Sequence, residues 1–599
     1  MTDASTASQT ATDQTAAASR GQPPAPGCVV IAGMHRSGTS LTASLLARLG
    51  VCLGDRLVAE DRANPRGYFE DLDIVRFHQR AFARLFPRKS AGHADWGWTP
   101  AAQVTAGQLA RWRQEARALV QARMQSGRLW GFKDPRATVV LDFWHSLLPN
   151  PVYVAVYRSP TLVADSMQRL AAPVFLGNPE YAWPIWRLYN QRLLDFIHRH
   201  RERCLVLNVD ALPHQLDRIP HPLHDHLGLT VTQSDLSGLF DPQLLRPKSR
   251  LWHREQLSRV VYDECYSVYD QLEELADLPD KTASPPEPYY SPLVAASESA
   301  SISPELSIVI PTFNDAPLLV EALASVEQCQ PRDCEVLVLD DGSSDPESLR
   351  VLERLESVGY TVLRQPNAGL SAARNALIRR ARGRLILPVD ADNRLLPGYI
   401  EQARHALAAD PGLAIVYGDR KLFGVASEKL RVPGFDLARM VDQNFIDACA
   451  MFRREVWEDV GGYDEGLRGF EDWEFWLHAS QRGWRFAHLP EAQFEYRVRP
   501  GSLLSRCNTR RGRWRFRRHL LRKHPDLLTR LLPQPLRKFV SDRSPSPDTA
   551  QRLSWPAQWT LNAYWLWTWF RPRWAGPGTS AVQQLASSAN PGPPNGEAD

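Results

Sequence analysis

The 599-residue chain is too long for one hydrophobic core and asks for two to four domains; 43% hydrophobic and 23% charged residues describe an ordinary globular protein. A formal charge of +4 over that length excludes a chain-wide nucleic-acid footprint, and no uninterrupted apolar run approaches the ~18 residues of a membrane-spanning helix. Eight cysteines without a CxxC pair argue against a disulfide frame or zinc site and for reduced thiols in a cytoplasmic protein.

Residues 1–26, rich in Ser, Thr, Ala and Gln, read as a disordered tail without a signal peptide. The apolar run Cys28 to Ala32 then reads as a buried strand. Leu41, Leu45, Leu46 and Leu49 recur at helical spacing, so Gly33-Met34-His35-Arg36-Ser37-Gly38-Thr39-Ser40 joins a strand to a helix N-terminus. Such a loop is an anion seat, because free backbone N–H groups and the positive end of the helix dipole converge there. Its two glycines and final Ser match a nucleoside triphosphatase phosphate loop, but Thr39 stands where that loop needs Lys, which disfavours ATP or GTP chemistry. Arg36 offers a guanidinium instead, with Ser37, Thr39 and Ser40 as hydroxyl donors.

Next, Asn64 to Asp71 forms a turn into a helical pattern at Leu72, Val75, Phe77 and Phe82. Glu70 and Asp71 are candidates for a general base, with Glu60 a second location; the alternative is that Glu70 and Asp71 only favour a helix start. Leu129 to Phe132 leads into Lys133-Asp134-Pro135-Arg136, a charged strand end suited to ligand chemistry, with Lys133 a catalytic candidate. The strand Val152 to Val156 ends at Arg158, and Ser166 follows eight residues later, two helical turns on, so both can approach one anion. A further strand runs from Leu205 to Val209. The amphipathic helix Trp183 to Ile197 reads as core, the alternative being a sugar-stacking groove of Trp183, Trp186 and Tyr189.

Four ordered patches, GMHRSGTS, NPRGYFED, KDPR and the Arg158 to Ser166 pair, resemble the bacterial sulfotransferases that use 3′-phosphoadenosine 5′-phosphosulfate (PAPS). The resemblance implies a P-loop-like parallel-sheet fold over residues 27–280, a 5′-phosphosulfate loop of Arg36, Ser37, Gly38, Thr39 and Ser40, and a 3′-phosphate site of Arg158 and Ser166.

Residues 281–304, with Pro285, Pro286, Pro288 and Pro292, read as a linker. Strands at Leu306 to Ile310 and Glu335 to Leu339 then alternate with a helix from Pro317 to Val326. They end in Pro311-Thr312-Phe313-Asn314 and Asp340-Asp341-Gly342-Ser343, which implies a parallel sheet with a nucleotide site at its strand ends. A helix opening at Asn367 to Arg374 ends at Gly383, and the strand Arg384 to Val389 delivers Asp390-Ala391-Asp392. Such a pair can hold Mg2+ or Mn2+ against a diphosphate.

In this order the motifs resemble family-two inverting glycosyltransferases of the GT-A fold, here over residues 305–525. The resemblance implies a nucleotide-diphospho-sugar bound near Thr312, Asp340, Asp341 and Arg374, with Asp390 and Asp392 on diphosphate and metal. It also identifies Phe470-Glu471-Asp472-Trp473 as the acidic acceptor motif, with Asp472 the general base and Glu471 the alternative. Relatives carry a metal-ligand His where this chain has Arg497-Val498-Arg499, so either arginine is a candidate to steady the diphosphate.

Residues 526–574 form a Trp-rich helical segment preceded by an Arg-rich run, and 575–599 read as a disordered tail. The Arg and Trp residues suit peripheral contact with the anionic inner face of the plasma membrane; the alternative is a packed C-terminal helix. The expectation is thus an α/β, two-domain bifunctional transferase of a sulfated surface glycan or glycolipid, acting on a glycan or lipid-linked acceptor. The alternative is a glycosyltransferase whose N-terminal domain only binds nucleotide or glycan.

Overall fold

The computed structural model describes residues 27–570 except 62–63, 65–66, 88–91, 126, 171, 237–250, 281–303, 332, 501 and 542–554. The expected tails and nearly all of the expected linker lie outside the described residues. The chain forms two compact units, the first comprising Met1–Leu170, Tyr181–Leu251 and Tyr262–Pro285, the second Ala171–Glu180, Trp252–Val261 and Pro286–Asp599.

The first unit is built on four parallel strands, β1 (Cys28–Ala32), β2 (Gly131–Lys133), β3 (Pro151–Tyr157) and β4 (Cys204–Asn208), in the order β2-β1-β3-β4. The strands are buried on both faces, which is why β1 reads Cys-Val-Val-Ile-Ala without alternation. The chain steps from β1 to β2 on one side and then to β3 on the other. This reversal opens a crevice at the carboxyl ends of the strands, where the loop after β1 lies. Trp183, Trp186 and Tyr189 of the helix Ala182–Arg199 are buried, with Trp183 stacked on Tyr262 at 3.8 Å. The aromatic stripe is therefore core, not a sugar groove.

The second unit carries nine strands: β5 (Leu306–Thr312), β6 (Cys334–Asp340), β7 (Thr361–Arg364), β8 (Leu385–Pro388), β9 (Arg394–Leu395), β10 (Leu413–Gly424), β11 (Lys429–Leu430), β12 (Met451–Arg453) and β13 (Arg485–Val498). Their order is β7-β6-β5-β8-β12-β10-β13-β9, with β11 on the edge of β10. The half formed by β7, β6, β5 and β8 is parallel, as the strand and helix alternation predicts. Beyond it β12 pairs antiparallel with both β8 and β10, so the whole sheet is mixed.

The C-terminal helices belong to this unit's core. Phe516, Leu520 and Leu521 of the helix Arg510–Lys523, Leu527 and Leu528 of Pro525–Arg530, and Leu561 and Trp565 of Trp555–Phe570 are buried in one cluster with Trp473, Phe475 and Trp476. Trp565 thus follows the packed-helix alternative, whereas Trp559 is 64% and Trp514 39% exposed. Opposite the buried face, Arg511, Arg515, Arg518 and Arg522 form an exposed stripe at helical spacing, and Arg518 lies 5.3 Å over the Trp514 ring. No described helix is long and apolar enough to cross a membrane.

Candidate functional site

In the first unit, β1 feeds the loop directly into the helix Thr39–Arg48. Arg36 (φ 68°) and Gly38 (φ 84°) take left-handed backbone, which curls the loop. A Cβ on Gly38 would lie 2.5 Å from a Val209 methyl, and one on Gly33 2.3 Å from the Val156 carbonyl oxygen, so the strands approach too closely for any side chain. Ser37 is buried, and its Oγ has no hydrogen-bond partner among the described residues. An orphaned hydroxyl inside a helix-start anion seat fits a phosphosulfate ligand.

Lys133 at the end of β2 reaches the same place. Its Nζ lies 2.5 Å from Glu70 Oε1 and 3.3 Å from Ser40 Oγ, which also accepts from Asn64 Nδ2 at 3.1 Å. Burial raises the Glu70 pKa against the opposing pull of Lys133, moving this carboxyl toward proton-transfer duty. Asp71 instead caps the helix Leu72–Ala83, accepting from Asp73 N at 2.9 Å, and is held by Arg123 Nε at 2.6 Å. Glu60 is exposed.

The 3′ pair is arranged differently from the expectation. Arg36 Nε, not Arg158, donates to Ser166 Oγ at 3.0 Å. Arg158 Nε donates instead to Asp210 Oδ1 at 2.6 Å, and Asp210 Oδ2 accepts from Ser159 N at 3.1 Å. The sheet register explains this, since Tyr157 on β3 faces Asn208 on β4 and the residues just beyond meet. Arg36 and Arg158 nevertheless stay close enough for their like charges to act on one another.

Of the Lys133 to Arg136 cluster, Lys133 is the residue whose side chain bonds the loop, at Ser40, while the charges of Asp134 and Arg136 act on His35. Asp134 is fully buried: Oδ2 meets His78 Nδ1 at 2.8 Å, while Oδ1 accepts from Arg136 N at 3.0 Å and Arg136 Nη1 at 3.1 Å. Trp144 Nε1 donates to His78 Nε2 at 3.0 Å, so Nδ1 carries the proton that His78 gives to Asp134. Burial alone would raise the Asp134 pKa, but Arg136 and His78 hold it well below the usual carboxylate range. Asp134→Ala would leave His78 Nδ1 without its acceptor and Arg136 with Asp95 alone, and a loss of about 3–5 kcal/mol is expected in denaturant unfolding. Nothing in the local sequence marks His78 as this partner. His35 has no sequence signal of its own either: it stacks on Trp96 at 3.8 Å, and burial drives its pKa well below the usual value, keeping it neutral.

In the second unit, Thr312 closes β5 with its Oγ1 buried and without a partner among the described residues, which leaves the hydroxyl available to a ligand. Asp340 Oδ1 accepts from Ser343 N at 2.9 Å. Asp341 is taken up by the next loop, accepting from Gln365 Nε2 at 2.7 Å, Ala368 N at 2.9 Å and Gly369 N at 2.8 Å. It thereby fixes the start of the helix Leu370–Arg380.

That helix carries Arg374, 1% exposed, which joins two acidic motifs: Nη2 donates to Asp390 Oδ1 and Nη1 to Glu471 Oε1, each at 2.6 Å. Burial opposes its charge, yet Asp390 and Glu471 together raise its pKa. With Glu471 engaged, Asp472 is the freer carboxylate; it accepts from Asn444 Nδ2 at 3.0 Å and Trp473 N at 2.8 Å. Burial, then the charges of Glu471 and Asp447, push its pKa up to about 7, against Arg374. A carboxylate titrating there suits a general base at neutral pH.

Arg499 Nε donates to Asp392 Oδ2 at 3.1 Å, and Arg499 also pairs with Asp315. Arg497 is instead a buried strut, donating to Glu321 at 2.8 Å and to the Asp392 carbonyl at 3.0 Å. Arg254 and Arg394 converge on the same Glu321, so Arg497 is withheld from a ligand. Among the described residues no cluster of three or more His, Cys, Asp or Glu could hold a metal. Asp390 and Asp392 each keep one oxygen outside the hydrogen bonds found there, which fits a hard cation completing its shell with diphosphate and water.

Residues 26–233 match the model of the sulfotransferase family, and residues 307–461 that of glycosyl transferase family 2. The chain is 29% identical over 208 residues to an uncharacterized protein, y4gI, of Sinorhizobium fredii, covering 33% of this chain and 23% of that one. It is 27% identical over 210 residues to a chondroitin synthase of Escherichia coli, covering 34% and 30%. The matches thus span less than a third of either relative. S. aureus TarS 1–349 in complex with UDP-GlcNAc is similar at 18% identity and a TM-score of 0.34, over 47% of this chain and 83% of that one. The chain therefore unites a sulfotransferase-family domain with a family 2 glycosyltransferase domain.

Proposed function

We propose that the two domains are PAPS-dependent sulfotransferase and inverting glycosyltransferase, working on one glycan or lipid-linked glycan in the synthesis of a sulfated surface polysaccharide or glycolipid. The observation that carries this reading is that each unit sets a cation beside a buried carboxylate of raised pKa: Lys133, which also reaches Ser40 of the Arg36 loop, against Glu70, and Arg374 near Asp472. The chondroitin synthase relative supports a glycan acceptor.

In the first site Glu70 accepts the proton of the acceptor hydroxyl as its oxygen bonds to sulfur. The sulfur–oxygen bond to the adenosine phosphate then breaks, and Lys133, Ser40 and Arg36 meet the charge that develops. In the second, Asp472 accepts the acceptor proton as the oxygen attacks the anomeric carbon from the face opposite the diphosphate, so one displacement inverts the centre. Arg374 and Arg499 brace Asp390 and Asp392. A bound Mg2+ or Mn2+ there supplies neutralisation of the departing diphosphate.

The arginine stripe with Trp514 and Trp559 supports contact with an anionic membrane, each well-placed Arg adding about 1 kcal/mol. Co-sedimentation with anionic vesicles should fall when Arg511, Arg515, Arg518 and Arg522 become Gln; unchanged binding would remove this part of the reading. The two-site reading is tested by calorimetric titration with adenosine 3′,5′-bisphosphate and with a panel of nucleoside diphosphates. One site for each class per chain, without competition, is expected, and a chelator should weaken only the second. Competition, or no binding of the adenosine ligand, would contradict it.

A further inference from the structure

Family 2 similarity ends at residue 461, yet Glu471 and Asp472 lie beyond it, on a stretch fastened to the C-terminal helices. Glu474, one helical turn from Glu471, is 0% exposed, and its Oε1 meets His524 Nε2 at 2.8 Å and Lys523 Nζ at 2.9 Å. His524 is itself buried, and its other ring nitrogen lies 2.7 Å from Gln481 Oε1 at the far end of the same helix. His524 therefore grips the helix Glu471–Gln481 at both ends. Ahead of that helix, Asp464 Oδ2 receives Lys523 Nζ at 2.7 Å and meets His519 Nε2 at 3.0 Å. Phe516 packs on Phe470 and Trp473, with ring centroids at 5.1 and 4.7 Å.

We infer that residues 510–530 position the proposed base: His524 and Lys523, acting through Glu474, set the orientation of the helix whose first turn presents Asp472. This rests on the glycosyltransferase reading above. A buried Glu without these partners would be costly, so the contacts are specific to one placement of the helix. They pull the Glu474 pKa down although burial works to raise it, and His478 Nδ1 stands 3.9 Å away on the third side. Lys523 and His524 come from the C-terminal segment, whereas Gln481 and His478 sit on the helix being held. Displacing a catalytic group by about 1 Å can cost on the order of a hundredfold in rate.

The test uses the full chain with Glu474→Leu, His524→Gln and the conservative Glu474→Gln. Sugar transfer and nucleotide diphosphate affinity are measured across pH. Expected for Glu474→Leu and His524→Gln is a fall in kcat of at least about tenfold, a shift in the acid limb of the pH profile, and unchanged affinity. Glu474→Gln, which still accepts from His524, should recover much of the rate. If kcat and affinity fall together, or if kcat holds in His524→Gln, the segment is structural only and the inference fails. Should Glu474→Leu not fold, the His524→Gln and Glu474→Gln pair decides alone. A wild-type chain that transfers no sugar would overturn the underlying reading instead.

Discussion

Asp472→Asn should lower sugar transfer by about 10²–10⁴-fold while leaving nucleotide diphosphate affinity within a factor of about two. The amide keeps the hydrogen bond to Trp473 N and the volume of the buried site, but it cannot take a proton. The proposed donor contacts at Thr312, Arg374 and Asp390 are untouched, so KM for the donor should hold as kcat collapses. The pH dependence follows from the carboxyl's pKa of about 7. Only the ionised form is a base, so transfer should rise as pH increases through neutrality and level off above it. Glu471→Gln offers the contrast, because it releases Arg374 and should weaken donor binding as well as rate. Equal, mild losses in both variants would mean that the base lies elsewhere.

Arg36→Ala should cut sulfuryl transfer by a hundredfold or more, about 3 kcal/mol of transition-state stabilisation, and leave sugar transfer within about twofold. Arg36 is curled into the anion seat by its left-handed backbone and held by Ser166. Removing the guanidinium takes away charge only in the first unit. Loss of both activities together would contradict two separate sites.

The strand-end loops were legible because their chemistry is local. Gly33, Gly38 and the adjoining hydroxyls lie within one octapeptide, and Asp390 and Asp392 flank one residue. Partnerships were not legible, because they depend on which strands become neighbours. Arg158 meets Asp210 from 52 residues away, Lys133 meets Glu70 from 63, and Arg374 meets Glu471 from 97. Asp71 and Asp134 are acidic residues in the expected clusters, yet one caps a helix and the other anchors His78 and Arg136. Segments that change unit are harder still: residues 172–180 and 252–261 are grouped with the second unit although each lies between segments of the first. The tryptophans near the C-terminus read equally as surface or core, and the structure divides them, burying Trp565 and exposing Trp559.

The central claim is that one chain carries two independent transfer reactions. Its most direct test is to incubate the full chain with PAPS, a divalent cation, a panel of nucleotide sugars and candidate oligosaccharide acceptors, then weigh the products. Acceptors gaining both a sulfo group and a sugar, with Arg36→Ala removing only the first and Asp472→Asn only the second, is the predicted result. Products that gain sugar alone under every donor and acceptor, with no PAPS consumed, would contradict it.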